Sequence, residues 1–302
     1  MLKHGLLDRT ERILQDEGYV TCRYRGCFDI AAKKHRLLFL KVLQNIDSFS
    51  EEQARNLSIL AKNMAATMFL IGENTTRENL QEGIVYERFG IAAVCFETFR
   101  LFLKEGIFPR IYRKRGGLFV SINRDTLREM RKSRGLTQME LAEMVGISKK
   151  AIYEHEARNL KMLLSIAQRI EDVLEKKIIK NIDISKIGVG GQGKPGDMLE
   201  KKVGGDLEKL GFSIDFVKQA PVDIVAKKEA LLVSDVEADK KRLKKRTEEL
   251  KGFIGVAQKP AVVITEDIKD RDSEIPIVQR KELGEMSSRR LFKIAKKSRK
   301  YK

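Results

Sequence analysis

The sequence predicts a chain of two mixed α/β units flanking an all-α helical domain, and three observations carry that prediction. A strand-turn-strand phrase occurs twice, once around Asp29 and again around Asp223; three short amphipathic helices lie between the copies; and the positive charge gathers in that middle part. With 302 residues the chain can bury more than one core. Its formal net charge of +17 divides into +1 for residues 1–108, +9 for 109–194 and +7 for 195–302. So dense a positive field is the expected footprint of a polyanion partner such as DNA or RNA. Cys22, Cys27 and Cys95 form no CxxC pair, and His4, His35 and His155 are scattered, so neither a zinc nor a disulfide framework is expected, and no cofactor. The absence of a long apolar run, and a charged N-terminal stretch in place of a signal peptide, predict a cytoplasmic protein without a membrane partner.

The first unit spans residues 1–108. Its phrase FDIAAKKHRLLFLKV, Phe28 to Val42, reads as strand, turn and strand, followed by a helical stretch, the strand ATMFLIGE (66–73), a short strand at Ile84–Val85 and the amphipathic helix ETFRLFLKEG (97–106). The expected order is helix, strand, turn, strand, helix, strand, short strand, helix. Strands alternating with crossover helices imply a mixed sheet with helices on its faces.

The middle domain spans 109–184. Leu127 and Met130, then Leu141, Met144 and Val145, then Ile147, Ala151 and Ile152 fall at three- and four-residue spacings, the period of three short helices. Gly135 supplies a C-cap, Thr137 with Glu140 three residues on makes a capping box, Gly146 ends the second helix and Ser148 caps the third. Only Ile147 lies between the last two signals. Helices joined by so short a Gly-containing turn cross steeply, which is helix-turn-helix geometry, and the second helix of such a pair enters the major groove N-terminus first. Ser148, Lys149 and Lys150 open that helix, and Tyr153, Glu154 and Arg158 follow on the same exposed side. These residue types contact phosphates or base edges. Thr137 and Gln138 open the preceding helix, where the Gln138 amide can meet the DNA backbone beside the N-terminal N–H groups. The alternative is a small helical bundle with a solvated basic face.

A glycine-rich linker, 185–198, follows. Within it GVGGQGKPG, Gly188 to Gly196, imitates a phosphate-binding loop, but Pro195 stands where a Ser or Thr should hold Mg²⁺ and no long buried strand precedes it. The second unit, 199–302, repeats the phrase as VDIVAKKEALLVSDV, Val222 to Val236. Asp29, Ile30, Ala32, Lys33, Lys34, Leu37, Leu38 and Val42 match Asp223, Ile224, Ala226, Lys227, Lys228, Leu231, Leu232 and Val236. AVVITE (261–266), the pair Ile277-Val278 and SSRRLFKIAKK continue the frame, so one unit has been duplicated around the helical domain. The run KKRLKKR, Lys240 to Arg246, is expected to be a solvated helix face that can add phosphate contacts, as can the tail KKSRKYK.

From Thr137 to Glu156 the residues follow TQxxLAxxxGxSxxxIxxxE almost completely, and the stretch resembles the Cro and lambda-repressor class of helix-turn-helix domains. The resemblance covers about sixty residues. It implies a five-helix lambda-repressor-like DNA-binding domain, with Leu160 to Lys177 as fourth and fifth helices, working as a homodimer on paired half-sites. Members of that class often continue with Gly and Pro after the third helix, where this chain has Ala157, Arg158 and Asn159, so the loop there is expected to differ. Both flanks resemble the restriction-endonuclease-like fold. Its catalytic version places an acid at the start of the second strand and an acid-x-Lys triplet on the neighbour, two carboxylates holding Mg²⁺ and the lysine activating water. Asp29 and Lys41 fit, but Phe39 stands at the second acid; Asp223 fits, but the triplet reads Val233-Ser234-Asp235. Unless Glu11 or Glu237 leans in, no catalytic set is complete, and Asp29 and Asp223 are expected to be strand-edge aspartates bonded to nearby backbone.

The bracketed architecture also resembles an archaeal family of HTH-type transcriptional regulators. The expected function is sequence-specific binding of double-stranded DNA by a regulator that is not an enzyme. The alternatives are a metal-dependent structure-selective nuclease or repair factor targeted by the helix-turn-helix, and an RNA-processing or protein-interaction role.

Overall fold

The computed structural model describes residues 2–184, 193–268 and 273–300. The first unit runs α1 (Leu2–Asp16), β1 (Val20–Arg23), β2 (Ile30–Lys33), β3 (Leu37–Asn45), α2 (Glu51–Met64), β4 (Thr67–Asn74), β5 (Ile84–Arg88), β6 (Ile91–Cys95) and α3 (Phe96–Glu105). The middle part runs β7 (Ile111–Lys114), β8 (Gly117–Val120), α4 (Arg124–Ser133), α5 (Gln138–Val145), α6 (Lys149–Ala157), β9 (Met162–Leu163) and α7 (Leu164–Leu174). The second unit runs α8 (Met198–Lys209), β10 (Ser213–Phe216), β11 (Ile224–Lys227), β12 (Leu231–Val236), α9 (Lys240–Ala257), β13 (Ala261–Thr265), β14 (Ile277–Gln279), α10 (Arg280–Leu283) and α11 (Ser288–Ala295).

The duplication holds at the level of strand register. In the first unit β1, β2 and β3 form an antiparallel meander with Ala31 opposite Phe39, and β3 runs parallel to β4. In the second, β10, β11 and β12 do the same with Val225 opposite Val233, and β12 runs parallel to β13. The meander's first strand is an addition to the sequence expectation. It is short, with Val20 and Arg23 exposed and Thr21 and Cys22 half-buried in the first unit, so it leaves no apolar alternation to find. The match of Ile84-Val85 to Ile277-Val278 is corrected: β14 runs parallel to β13 as β6 does to β4, so β14 takes the place of β6. The hairpin strand β5 has no counterpart among the described residues of the second unit.

The two units share a core. One continuous buried cluster contains Phe28, Phe39, Leu57 and Leu60 of the first unit together with Val225, Val233, Leu250 and Phe253 of the second. Phe28 and Phe39 stack with ring centroids 5.0 Å apart, and Phe253 of α9 lies 5.9 Å from the first and 6.1 Å from the second. Such aromatic contacts add to an already large apolar burial. Polar groups close the seam from both sides: Lys33 Nζ donates to Gln258 (2.7 Å), Asn63 to Asp215 (2.9 Å), and the Lys218 N–H to Asn56 (2.9 Å). The Cys27 N–H donates to the Gln219 carbonyl, 2.6 Å away, and a Cβ on the adjacent Gly26 would run into that carbonyl. A glycine is therefore required where the two backbones meet. The outer sheet faces are covered by α1 and α3 in the first unit and by α8 and α11 in the second.

The helical domain is fastened to the first unit by strand addition. β7 pairs in parallel with β5, Ile84 opposite Ile111 and Val85 opposite Tyr112, and β8 and β9 extend the same sheet to nine strands. Four helices, not five, lie in 109–184 among the described residues. Arg158 leaves α6 in extended backbone and Met162–Leu163 pairs with β8, so strand pairing takes the residues assigned to a fourth helix, and a single helix, α7, follows. Met144 is 58% exposed, since α5 buries only Leu141, Ala142 and Val145. Arg246 departs from the solvated face expected of the KKRLKKR run, and Leu243 of the same run is buried. Most of the GVGGQGKPG stretch, and the end of the basic tail, lie outside the described residues.

One buried ion pair ties this domain together. Arg131 of α4 grips Glu156 of α6 through both carboxylate oxygens (2.7 and 3.0 Å), and also donates to the Leu136 carbonyl (2.7 Å). Burial alone would raise the Glu156 carboxyl, but hydrogen bonds from Arg131 and Gln138 outweigh it and hold the group below its ordinary value. A carboxylate depressed in this way contributes stability that is fully present above the ordinary carboxylate range and drains away as pH falls through the depressed value. Glu156→Gln should therefore cost about 3–5 kcal/mol at neutral pH, because it leaves the Arg131 charge buried and uncompensated. Denaturation curves from neutral to acid pH check this: the variant should lose the acid-dependent fall contributed by Glu156. Phe253→Ala should cost about 3–5 kcal/mol in the same assay by opening a cavity between the units.

Candidate nucleic-acid interface

The start of α6 is built by local chemistry. Gly146 takes left-handed backbone (φ 68°) to end α5, and Ser148 then accepts the Ala151 N–H at 3.1 Å to begin α6. Ile152, buried, anchors the helix to the domain core, and this turns Ser148, Lys149 and Lys150 to solvent. Neither lysine has an acidic partner among the described residues. Tyr153 is 58% exposed, Glu154 is half-buried, and Arg158 lies exposed where the helix ends. The structure thus brings six of the expected residues together along one helix and its end.

Thr137 and Gln138 stand at the start of α5 with their side chains engaged inside the domain. The Thr137 hydroxyl accepts the Glu140 N–H at 3.2 Å, while the Glu140 carboxylate accepts the Thr137 N–H at 2.7 Å. The Gln138 amide donates to Glu156 at 2.8 Å. Gln138 and Glu156, the second and last residues of the sequence pattern, are therefore partners across the two helices, with Arg131 completing the set. Sequence reasoning missed Arg131. An arginine on an apolar helix face, Leu127 and Met130 beside it, was the available signal, but no spacing links it to Glu156 twenty-five residues away.

The two nuclease-like sites can be compared with what a metal would need. In the first, Lys41 Nζ lies 3.1 Å from Asp29 Oδ1 and donates to the Gly26 carbonyl at 2.7 Å, while Asp29 Oδ2 accepts the Val42 N–H at 2.8 Å. Phe39 is fully buried in the inter-unit cluster. In the second, Asp223 accepts the Val236 N–H at 2.9 Å, the same backbone bond in the same register. The guanidinium of Arg246 bonds both Asp223, at 2.8 and 2.9 Å, and Asp235. Burial and the neighbouring Asp223 raise Asp235 well above the usual carboxylate range, and its second oxygen has no hydrogen-bond partner among the described residues. Glu11 bonds Thr21 and Arg23, and Glu237 accepts the Asp239 N–H, so neither completes a set. Protein cations already compensate the carboxylates, and apolar side chains fill the missing ligand position; these residues do not fit a catalytic divalent ion.

Residues 3–109 match the model of the PD-(D/E)XK superfamily domain, and residues 127–178 match a helix-turn-helix model. The chain is 33% identical to a "Putative HTH-type transcriptional regulatory protein" of Thermococcus gammatolerans, over 95% of this chain and 93% of the relative. Proteins of the same name from Pyrococcus furiosus and Methanocaldococcus jannaschii are 39% identical over 76% of this chain and 75% of theirs, and 33% identical over 87% and 86%. No solved structure matches the chain. A helix-turn-helix joined by strand pairing to a PD-(D/E)XK domain, with similarity running along nearly the whole length, places this chain in the archaeal family of HTH-type transcriptional regulatory proteins.

Proposed function

We propose that the chain is a transcriptional regulator that binds double-stranded DNA sequence-specifically through α6, with no enzymatic step of its own. The observation that carries this is the start of α6: a capped helix N-terminus presenting Ser148, Lys149 and Lys150 to solvent, with Tyr153 and Arg158 further along. Lysines there neutralise phosphates and fix the register, and the groove-facing side chains read base edges. Thr137 and Gln138 join the same surface at the start of α5, where the capping box of Thr137 with Glu140 sets the helix end and the Gln138 backbone N–H faces the DNA backbone. Each chain offers one such helix, so a paired half-site calls for a homodimer, and the expected compartment is the cytoplasm, with the DNA.

The flanking units then act as scaffold, the second being a nuclease-like copy of the first. A nuclease reading draws on the PD-(D/E)XK match over 3–109. Against it stand Phe39 in the core and the cations bound to Asp29, Asp223 and Asp235. The middle domain would comprise 109–184, joined to the second unit by the linker 185–198.

Lys149→Ala with Lys150→Ala should weaken binding to a selected duplex by at least about tenfold and reduce the salt slope of log K by about 2, with the melting temperature unchanged. Fluorescence anisotropy across a salt series checks this. Retained affinity would refute the proposed face.

A further inference from the structure

The second unit carries a cavity of about 540 Å³ between the end of β11 and helix α11. Lys228, Arg289, Lys293 and Lys296 line it against a single carboxylate, Glu229, and the ring of Phe292 forms part of the wall. Lys228 Nζ donates to the Leu210 carbonyl and to Ser288 Oγ, both at 3.0 Å, and Lys296 Nζ lies 5.6 Å from the centre of the Phe292 ring. Arg289 and Lys293 are exposed and have no acidic partner among the described residues.

The duplication supplies an internal comparison. In the first unit Lys34 Nζ donates to the Glu17 carbonyl at 2.8 Å, so the floor of the feature belongs to the shared fold. The helix above it differs. On α3, Arg100 is paired with Glu97 (2.7 Å) and Glu105 (3.5 Å), and Lys104 with Glu17 (3.9 Å). From Ser288 to Lys300 the second unit has no acid at all. The same position in the fold is neutralised in one copy and left cationic in the other, over a concave surface.

We propose that this cavity binds a phosphate-bearing small molecule, its phosphates held by Arg289, Lys293 and Lys228 and its apolar body against Phe292. Like charges gathered in a concavity repel one another and focus a positive potential on it, and a multivalent anion relieves both. The volume lies within the roughly 300–1,000 Å³ of small-ligand sites. The other source of phosphate is the DNA backbone, and the test separates the two.

The probe is ATP, titrated into the full chain by calorimetry near physiological salt, with an unrelated DNA duplex titrated in parallel. Wild type should bind ATP saturably at one site per chain. Arg289→Gln with Lys293→Gln should weaken that binding by at least about tenfold, with the melting temperature of the free protein unchanged; were the pair to lower it, Lys293→Gln alone carries the comparison. Lys104→Gln, at the corresponding helix of the first unit, should leave ATP binding unchanged. The proposal is overturned if wild type and the double variant bind ATP equally. It is also overturned if wild type shows no saturable ATP binding; loss of duplex affinity by the double variant would then assign the cations to the DNA backbone.

Discussion

Phe39 stands in β3 two residues before Lys41, where a catalytic version of this sheet would need a carboxylate, and its ring is packed against Phe28 and Phe253. Phe253 comes from the other unit. The position that would have held a metal ligand is thus part of the seam between the repeats, and restoring an acid there would bury an unpaired charge in apolar surroundings. The exchange is mutual, with α9 of the second unit lying on β1 and β2 of the first while α2 of the first hydrogen-bonds to β10 and the loop beyond it in the second. Much of the remaining arrangement follows from this seam. The sheets present their inner faces to one shared core, and the outer faces are left to helices of their own unit.

Charge follows the same logic in each copy by different means. Asp29 keeps its neighbour Lys41, whereas the corresponding residue in the second unit is Asp235, so two carboxylates face one another and Arg246 is drawn in from α9. A buried carboxylate pair without a cation would be costly, and a guanidinium is suited to bridging both. The helical domain inherits its orientation from this frame. Because β7 continues the first unit's sheet beside β5, α6 is held at a position set by backbone hydrogen bonds rather than by a loose tether. A rigid mount of this kind suits a helix whose task is to meet a groove in one orientation.

Much of this was legible in the sequence where the signal is local. Thr137 with Glu140, Gly146 and Ser148 are each within four residues of the group they satisfy, and the helix ends fell where those caps predicted. The repeated phrase around Asp29 and Asp223 fixed the shared strand pattern for a similar reason: both copies must bury the same alternation. What failed to show is non-local. Nothing near Phe253 announces that it will meet Phe39, Arg131 lies far along the chain from Glu156, and Arg246 sits inside a lysine-rich run that looks solvated. The helix that the resemblance implies from Leu160 fails at Leu160 to Leu163, where three apolar residues around Lys161 are compatible with helix or strand and the pairing of Met162–Leu163 with β8 decides for strand.

One gel tests two expectations together: that DNA is read at α6, and that the nuclease-like units leave it uncut. Incubating the full chain with Mg²⁺ or Mn²⁺ and end-labelled duplex, nicked and branched DNA, the duplex drawn from genomic fragments selected for binding, reads both at once under a chemical footprinting reagent. The account predicts a short, sequence-defined protected stretch on the selected duplex and intact strands in every substrate when the reagent is omitted. Metal-dependent cleavage that disappears in Asp29→Ala would contradict it.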